Sequence, residues 1–350
     1  MTAARHVFSL ASLALTFALC VPFASAGEAP RKPYSPPRTA DGKPDLQGIW
    51  ANNSATPMER PKILEGRATL TPEEVAALRQ RQREIFAGDG DAAFGDAIFE
   101  AVISDVKKYK PTSFDVPTGN YNAFWIVERD FDNRTSLIND PPDGRMPPLT
   151  PAAMQRLGEF GANLDAAEGP EVRALSERCL SFGLPDLLPG YNSYNQIVQT
   201  PRHVLVYAEK IHDARVIPIG GPPLKWSDVR TWSGDARGHW EGDTLVVETI
   251  NLINTYTPAL MGGSIVMPSK KMRLVERYTR TGPNTLQYEV TIDDPDTWAR
   301  KWTFMTPLTR TDERIYEYAC HEGNHGMIGI LAGARATERA AQASKPKPQS

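Results

Sequence analysis

The sequence has little cysteine, no run of basic residues and, beyond its first 26 residues, no apolar stretch long enough to cross a bilayer. Its 39 Lys and Arg against 42 Asp and Glu give a net charge of -3, which argues against nucleic acid or an anionic membrane as a partner. A nucleotide-binding glycine loop, a Cys-x-x-Cys-His haem site and a Gly-x-Ser-x-Gly nucleophile elbow are also missing, which argues against dehydrogenases, cytochromes and α/β-hydrolases. What the chain does have is 41% hydrophobic residues, enough for a core, and 30 Pro with 26 Gly, which predict many turns.

The N-terminal segment has the pattern of a signal peptide. Arg5 and His6 precede an apolar run over residues 7–23, and residues 24–26 are small, as a signal peptidase requires. We therefore expect residues 1–26 to be cleaved, leaving a periplasmic or secreted protein with no membrane insertion. The remaining chain is predicted to comprise an extended proline-rich leader over 27–44, one β-rich domain with helical insertions over 45–340 and a disordered tail over 341–350.

Export leaves two cysteines, because Cys20 is lost with the signal. Cys179 and Cys320 are then predicted to form one disulfide, as two thiols in an oxidising compartment most simply do. The bond would close a loop of roughly 140 residues, worth on the order of 4–5 kcal/mol in the chain-entropy model. The alternative is that Cys320 is a nucleophile activated by the adjacent His321.

Hydroxyl caps followed by proline mark two helix starts. Thr71-Pro72-Glu73-Glu74 predicts a helix that runs to about Phe86, with its acids near the positive end of the helix dipole. Thr150-Pro151 predicts a second helix by the same chemistry. A third helix is predicted over residues 170–179.

The second half of the chain consists of β-rich, alternating segments separated by tight turns. A first strand is also predicted over residues 45–50, and further candidates over 122–127 and 134–139. The seven segments in the second half span residues 204–207, 215–219, 244–249, 272–278, 285–292, 298–304 and 315–318. In sequence order they predict an antiparallel meander.

We expect this meander to close as a barrel, since closure removes the exposed edges of a long sheet. The triplet Gly48-Ile49-Trp50 resembles the first-strand Gly-x-Trp of lipocalin-like, or calycin, barrels. The predicted fold is therefore mainly β, a lipocalin-like barrel with a few helices packed outside. A β-sandwich or partial propeller is the alternative.

Three longer motifs carry a second resemblance. The chain has GHWEGDTLVVET at residues 238–249, DPPDGR at 140–145 and YACHEGN at 318–324. In these it resembles an uncharacterised family of exported bacterial proteins, over most of the mature chain. The resemblance implies a common fold and export, and it implies no activity or catalytic residue.

The densest group of chemically capable residues follows Cys320. His321-Glu322-x-x-His325 matches the zinc-peptidase signature, in which two imidazoles on one helix bind the metal and the glutamate is the base. The alternative places Gly323 in a turn and Asn324 or its neighbour at the cap of a helix from about Met327 to Arg335. His321 and Glu322 would then lie at a barrel rim, suited to acid–base catalysis beside a helix N-terminus, or would merely hydrogen-bond the loop next to the disulfide.

Further candidate site residues lie in predicted turns and strand ends. His212 followed by Asp213 predicts an imidazole oriented by a carboxylate, a second acid–base group. The alternative is that two adjacent turn residues point in different directions. Aromatic and polar side chains are predicted to line a cavity for a flat apolar ligand. These candidate ligand-binding residues are Tyr191, Asn192, Tyr194, Arg237, His239, Trp240 and Asn324.

Together these patterns predict an exported enzyme that acts on a small apolar or aromatic compound. The expected chemistry is cofactor-free acid–base work of the lyase, hydratase or isomerase type, through His321, Glu322, His212 and Asp213. A non-catalytic periplasmic carrier of the same ligand class is one alternative. A zinc-dependent hydrolase using His321 and His325 is the other.

Overall fold

The computed structural model describes residues 34–85, 129–185, 191–253, 259–261 and 264–344. All of these except Tyr34 belong to one compact unit, Ser35–Ser350. Within those ranges no helix combines the length and apolarity needed to span a bilayer. The strand predicted over 122–127 lies outside the described residues.

Three α-helices are described, α1 (Pro72–Ile85), α2 (Pro151–Ala166) and α3 (His325–Ala343). α1 and α2 begin where the sequence predicts, whereas α3 has the predicted cap Asn324 but begins at His325 instead of about Met327 and continues beyond Arg335. Thr71 and Glu74 form a reciprocal capping box on α1, with N···O distances of 3.2 and 2.8 Å. The Thr150 hydroxyl and the Asn324 side chain accept hydrogen bonds from the first turns of α2 and α3. The helix predicted over 170–179 is wrong, because only the short 3-10 turn Pro170–Val172 forms there.

Most strands also follow the predicted alternation. In chain order they are β1 (Gly48–Ala51), β2 (Ile138–Asp140), β3 (Tyr194–Gln199), β4 (His203–Ala208), β5 (Ala214–Pro218), β6 (Asp235–Glu241), β7 (Thr244–Ile250), β8 (Ala259–Met261), β9 (Ser264–Val266), β10 (Arg273–Gly282), β11 (Thr285–Asp293) and β12 (Trp302–Thr311). Strands β8 and β9 form a separate hairpin. The remaining ten strands form one antiparallel sheet, so the mainly β class is confirmed.

The sheet order is β5-β4-β3-β1-β12-β11-β10-β7-β6, with β2 paired to β12. The N-terminal strand β1 therefore lies between β3 and β12 and joins two meanders, β3 to β5 and β6 to β12. In the strand register, Trp50 of β1 is paired with Asn195 of β3 on one side and with Arg310 of β12 on the other.

The predicted barrel closure is not confirmed, because in the described residues no ladder joins the edge strands β5 and β6. They meet at a single parallel bridge, Ile219 to Gly238, where the Gly220 N–H donates to the Gly238 carbonyl at 2.7 Å. Beyond this point Gly220 and Gly221 have φ values of 76° and 92°. Two prolines follow, and a proline lacks the N–H that a ladder needs, so pairing ends here.

Two other strand predictions differ from the structure. Residues 315–318 lie in a segment without regular structure, where the Tyr316 N–H donates to the Glu209 carboxylate instead of a neighbouring strand. The strand predicted over 298–304 begins only at Trp302 and continues to Thr311. Alternation alone did not reveal whether a partner strand was present.

One face of the sheet forms the core. Along β11 every second residue is buried, and β10 and β12 follow the same alternation over most of their length. Side chains of this core face include Trp50, Leu274, Val290, Trp302 and Phe304, all of them fully buried. Each stabilises the fold by about 1.5–3 kcal/mol through removal of apolar surface from water.

Candidate ligand-binding site

Charged side chains interrupt this apolar core face. On β10, Glu276 occupies the same alternating phase as Leu274 and Tyr278 and is 1% exposed. On β5, Arg215 shares the phase of the fully buried Ile217. Both charged side chains therefore project from the sheet into the interior.

Arg215 and Glu276 form a bidentate ion pair. The Nη1–Oε1 and Nη2–Oε2 distances are 2.8 and 2.5 Å. Along the sheet, β5 and β10 are separated by β4, β3, β1, β12 and β11. The two side chains can meet only because the sheet curls until its edge at β5 approaches β10.

Three hydroxyl groups complete the network. The Tyr278 and Tyr288 hydroxyls donate to Glu276 Oε1 at 3.0 and 2.9 Å. The Thr249 hydroxyl accepts from Arg215 Nη2 at 2.5 Å and lies 3.5 Å from Glu276 Oε2. The two tyrosine rings pack against each other with centroids 4.8 Å apart. Oε1 thus accepts three hydrogen bonds and Oε2 accepts two, as a buried charge requires.

The pKa values of this network favour fixed charges. Burial acts to raise the pKa of Glu276, but the charge and hydrogen bonds of Arg215 outweigh it, and the pKa lies below its usual value. Burial likewise opposes the charge on Arg215, and Glu276 overcomes it and raises the Arg215 pKa. Burial and the Glu276 charge raise the pKa of Tyr278 and Tyr288 well above normal. Near neutral pH the pair is therefore ionised and the phenols keep their protons.

The network opens into a cavity of about 80 Å³. A buried water needs about 10–15 Å³ by this kind of measure, so the cavity has room for several waters or a small organic group. Arg215, Glu276, Tyr278 and Tyr288 line it together with Lys210 and further polar residues. These further polar residues are Asn52, Asn195, Asp213 and Ser233. The apolar wall is built by Phe182, Leu184, Ile197, Val206, Ala208 and Leu308.

Part of this wall is a loop held by the predicted disulfide. Cys179 and Cys320 are bonded with an S–S distance of 1.97 Å, which confirms the predicted pair. The loop continues through Ser181, whose hydroxyl donates to Asp213 at 2.7 Å, to Phe182 at the cavity. Phe182 contacts Tyr318 edge to face, with ring centroids 6.4 Å apart. The disulfide thus fixes the cavity wall to the segment that precedes α3.

The structure separates the predicted catalytic residues. Asp213 lies in the cavity wall, whereas His212, His321 and Glu322 are exposed and are not among the described residues that line the cavity. His321 and Glu322 occupy the turn between the disulfide and α3. Of the four, only Asp213 therefore belongs to this cavity, and joint action of the four residues stays a prediction.

The predicted zinc ligands do not share a helix. His321 precedes α3, while His325 is its first residue and Asn324 between them is the N-cap. Over the described ranges, no group of three or more His, Cys, Asp and Glu side chains is placed to hold a metal ion. The helical geometry of the zinc-peptidase signature is thus absent at this motif.

The predicted ligand-binding residues also lie elsewhere, since none of the seven appears among the described lining residues of the cavity. Asn324 caps α3 and donates to the Glu177 carbonyl at 2.8 Å, and Tyr191 contacts the Tyr318 ring. His239 is exposed and lies 3.1 Å from Glu241. The other four are Asn192, Tyr194, Arg237 and Trp240, all partly buried.

Sequence reasoning missed the Arg215–Glu276 pair. A signal was present, because Glu276 falls in the apolar phase of a strand predicted to face the core, between Leu274 and Tyr278. A charge in the buried phase of a strand needs a partner, and such groups cluster at functional sites. The identity of the partner, however, depended on how the sheet curls.

No family model, curated protein or solved structure matches this chain. The resemblances to lipocalin-like barrels and to a family of exported bacterial proteins therefore remain predictions from the sequence.

Proposed function

We propose that this protein binds a small, largely apolar organic molecule in the cavity over the Arg215–Glu276 pair, as an exported carrier. The observation that carries the proposal is a buried polar network with fixed charges, Arg215 and Glu276, that lines a cavity with an apolar wall. Ligand sites commonly combine apolar walls with a few fixed polar groups that orient the ligand. Export to the periplasm or beyond, through the signal predicted over residues 1–26, is part of the proposal.

The curled sheet serves as the container in this proposal. We propose that the sheet closes as a lipocalin-like barrel. The Ile219–Gly238 bridge between the two edge strands supports this closure. Small barrels of this kind hold one small ligand in their interior.

The state of the network favours binding over proton transfer. A general base works best with a pKa near the operating pH and with a free lone pair directed at the substrate. Glu276 has a lowered pKa and accepts hydrogen bonds from Arg215 and from the phenols of Tyr278 and Tyr288. Such a group holds Arg215 in place and is not suited to exchange protons with a ligand.

The test compares two matched valine substitutions on paired strands. Val206 lines the cavity, and Val216 of the neighbouring strand β5 is 60% exposed. We expect Val206→Phe to fill the cavity and weaken binding of small cyclic probes at least tenfold in ligand-observed NMR titrations. Val216→Phe should leave binding unchanged. Equal affinities in both variants would place the binding site elsewhere, and no binding to the wild type would refute the proposal.

Acid–base catalysis on the bound molecule is the second candidate, favoured by one observation. Asp213 lines the cavity within three residues of Lys210, a buried lysine that also lines it. Those small cyclic probes that bind are incubated with wild type and with Asp213→Asn, and product analysis then separates the two functions. Turnover that is lost in Asp213→Asn supports an enzyme, and unchanged ligand in both supports a carrier.

A further inference from the structure

One donor of the buried network is unused. The Nη atoms of Arg215 bond Glu276 and Thr249, but its Nε–H is buried and has no hydrogen-bond partner among the residues that the structure describes. The Arg215 side chain is 8% exposed and lines the cavity. A buried N–H without a partner carries a free-energy cost, which an acceptor in the cavity would remove.

The two carboxylate oxygens of the network already accept hydrogen bonds from donors of the same network. Glu276 Oε1 accepts from Arg215, Tyr278 and Tyr288, and Oε2 accepts from Arg215. The phenolic hydrogens of both tyrosines are used in these bonds. What this network lacks is an acceptor for Arg215 Nε, so the ligand is expected to supply an oxygen.

The charges around the cavity balance. Arg215 is paired with Glu276, and the wall adds one further residue of each sign, Lys210 and Asp213. A charged ligand would lose its hydration here without meeting an excess of opposite charge, which is unfavourable. An uncharged ligand avoids that cost.

We propose that the ligand is a small uncharged molecule whose carbonyl, ether or hydroxyl oxygen accepts a hydrogen bond from Arg215 Nε. This inference rests on the proposed function, since it names the class of ligand for the same cavity. Arg215 is then the residue that selects an oxygenated ligand over a hydrocarbon of the same shape.

The experiment uses probes that differ in a single group. Cyclopentanone and methylenecyclopentane have the same shape, with C=O in one and C=CH₂ in the other, and cyclopentanecarboxylate and cyclopentylammonium add a charge of either sign. Titrated into the wild-type protein, cyclopentanone should bind about tenfold more tightly than methylenecyclopentane, the effect of about one hydrogen bond. Both ions should bind more weakly than cyclopentanone.

Two further measurements test whether Arg215 causes the preference for cyclopentanone over methylenecyclopentane. Arg215→Lys retains the positive charge but has no Nε–H in the same position, and it should reduce the preference to less than threefold. The control Arg273→Lys, in the exposed pair with Glu248, should retain it. If Arg215→Lys does not fold, the Nε–H signal of Arg215 in the wild-type NMR spectrum should shift with cyclopentanone and not with methylenecyclopentane.

The outcomes distinguish the two proposals. Binding of no probe to the wild type overturns the proposed function. Equal binding of ketone and hydrocarbon, tighter binding of either ion, or a preference that persists in Arg215→Lys overturns only the inference on the ligand. An Nε–H signal that cyclopentanone leaves unchanged also overturns that inference, because the donor would then be satisfied by water.

Discussion

Arg215 and Glu276 depend on each other because neither can keep its charge in the interior alone. Their mutual attraction and the surrounding hydroxyls offset the loss of hydration, and removal of one partner leaves an uncompensated buried charge. The sheet offers a close comparison on its other face. There, Arg273 of β10 and Glu248 of β7 form a similar bidentate pair, but their side chains are 44% and 36% exposed.

We expect Glu276→Gln to lower the free energy of unfolding by about 3–5 kcal/mol, the typical cost of leaving a buried charge without its partner. Glu248→Gln should lower it by about 0–1 kcal/mol, because exposed pairs are screened by water. Urea denaturation of both variants measures the difference. Losses of equal size would mean that the Arg215 charge gains a substitute partner after the change.

Glu209 predicts a pH dependence of stability. It is 3% exposed, and burial raises its pKa despite a hydrogen bond from the Tyr316 N–H. Because the folded pKa exceeds the unfolded value of about 4.3, the contribution of Glu209 is fully present below that value. It is lost as the pH rises through the folded pKa, since ionisation is disfavoured in the fold.

Glu209→Gln should therefore be more stable than the wild type near pH 7, with the advantage disappearing below about pH 4. Urea midpoints measured across this pH range provide the test. Glu241→Gln is the control, because Glu241 is exposed and hydrogen bonds from His239 and Arg277 lower its pKa. A Glu209→Gln advantage that does not change with pH would show that ionisation of Glu209 is not its cause.

Among the elements, the loop from Cys179 to Leu184 connects stability to the cavity. Its disulfide to Cys320 holds Phe182 against Tyr318, and Phe182 and Leu184 form part of the apolar wall. A bond that closes so long a loop also restricts the unfolded chain, which is the larger part of its stabilising effect in the chain-entropy model.

Replacement of both Cys179 and Cys320 by Ser should lower the free energy of unfolding by about 2–5 kcal/mol. It should also weaken probe binding, because Phe182 and Leu184 lose their attachment to the rest of the fold. His321→Ala, next to the disulfide but exposed, should change neither quantity. Unchanged binding in the double-serine variant would show that the loop keeps its position without the bond.

The elements differ in how far the sequence predicted them. Helix starts at Thr71 and Thr150 were predictable because a cap hydroxyl and a following proline act within one turn. Strands β10 and β11 were predictable because alternation and a hairpin turn are also local. The segment over 315–318 has the same local pattern, but it lacks a neighbouring strand in the structure, and a strand exists only with its partner.

At the scale of the whole molecule, the two sheet edges meet where Gly238 allows close approach. A Cβ placed on Gly238 would lie 2.7 Å from Ile219 Cδ1, which is too close for any real contact. Gly238→Ala should therefore force the Ile219 side chain out of its present rotamer and cost about 0.5–1.5 kcal/mol of stability. Faster amide hydrogen exchange at Gly220, whose N–H bonds Gly238, should accompany the loss.

Ile219→Val tests the cause of that loss, because it removes the Cδ1 atom involved. The double variant Gly238→Ala with Ile219→Val should recover at least half of the lost stability, a coupling that a double-mutant cycle measures. Simple additivity of the two substitutions would contradict a clash with Ile219 Cδ1 as the origin of the loss. It would then point to Ile217 and Leu245, which lie 3.3 and 3.4 Å from the same Cβ position.

By itself the sequence determined the mainly β class and the helix starts, because alternation and helix caps are local patterns. It also determined the cysteine pair, because only two thiols remain after the predicted signal is removed. It also placed Asp213 in a candidate site. Only the tertiary structure decided that Arg215 pairs with Glu276, that the edges β5 and β6 meet at one bridge, and that His321 and Glu322 remain on the surface. Those outcomes depend on how far the sheet curls. The curl results from the twist between neighbouring strands added over all ten strands, so no single segment of the sequence determines it.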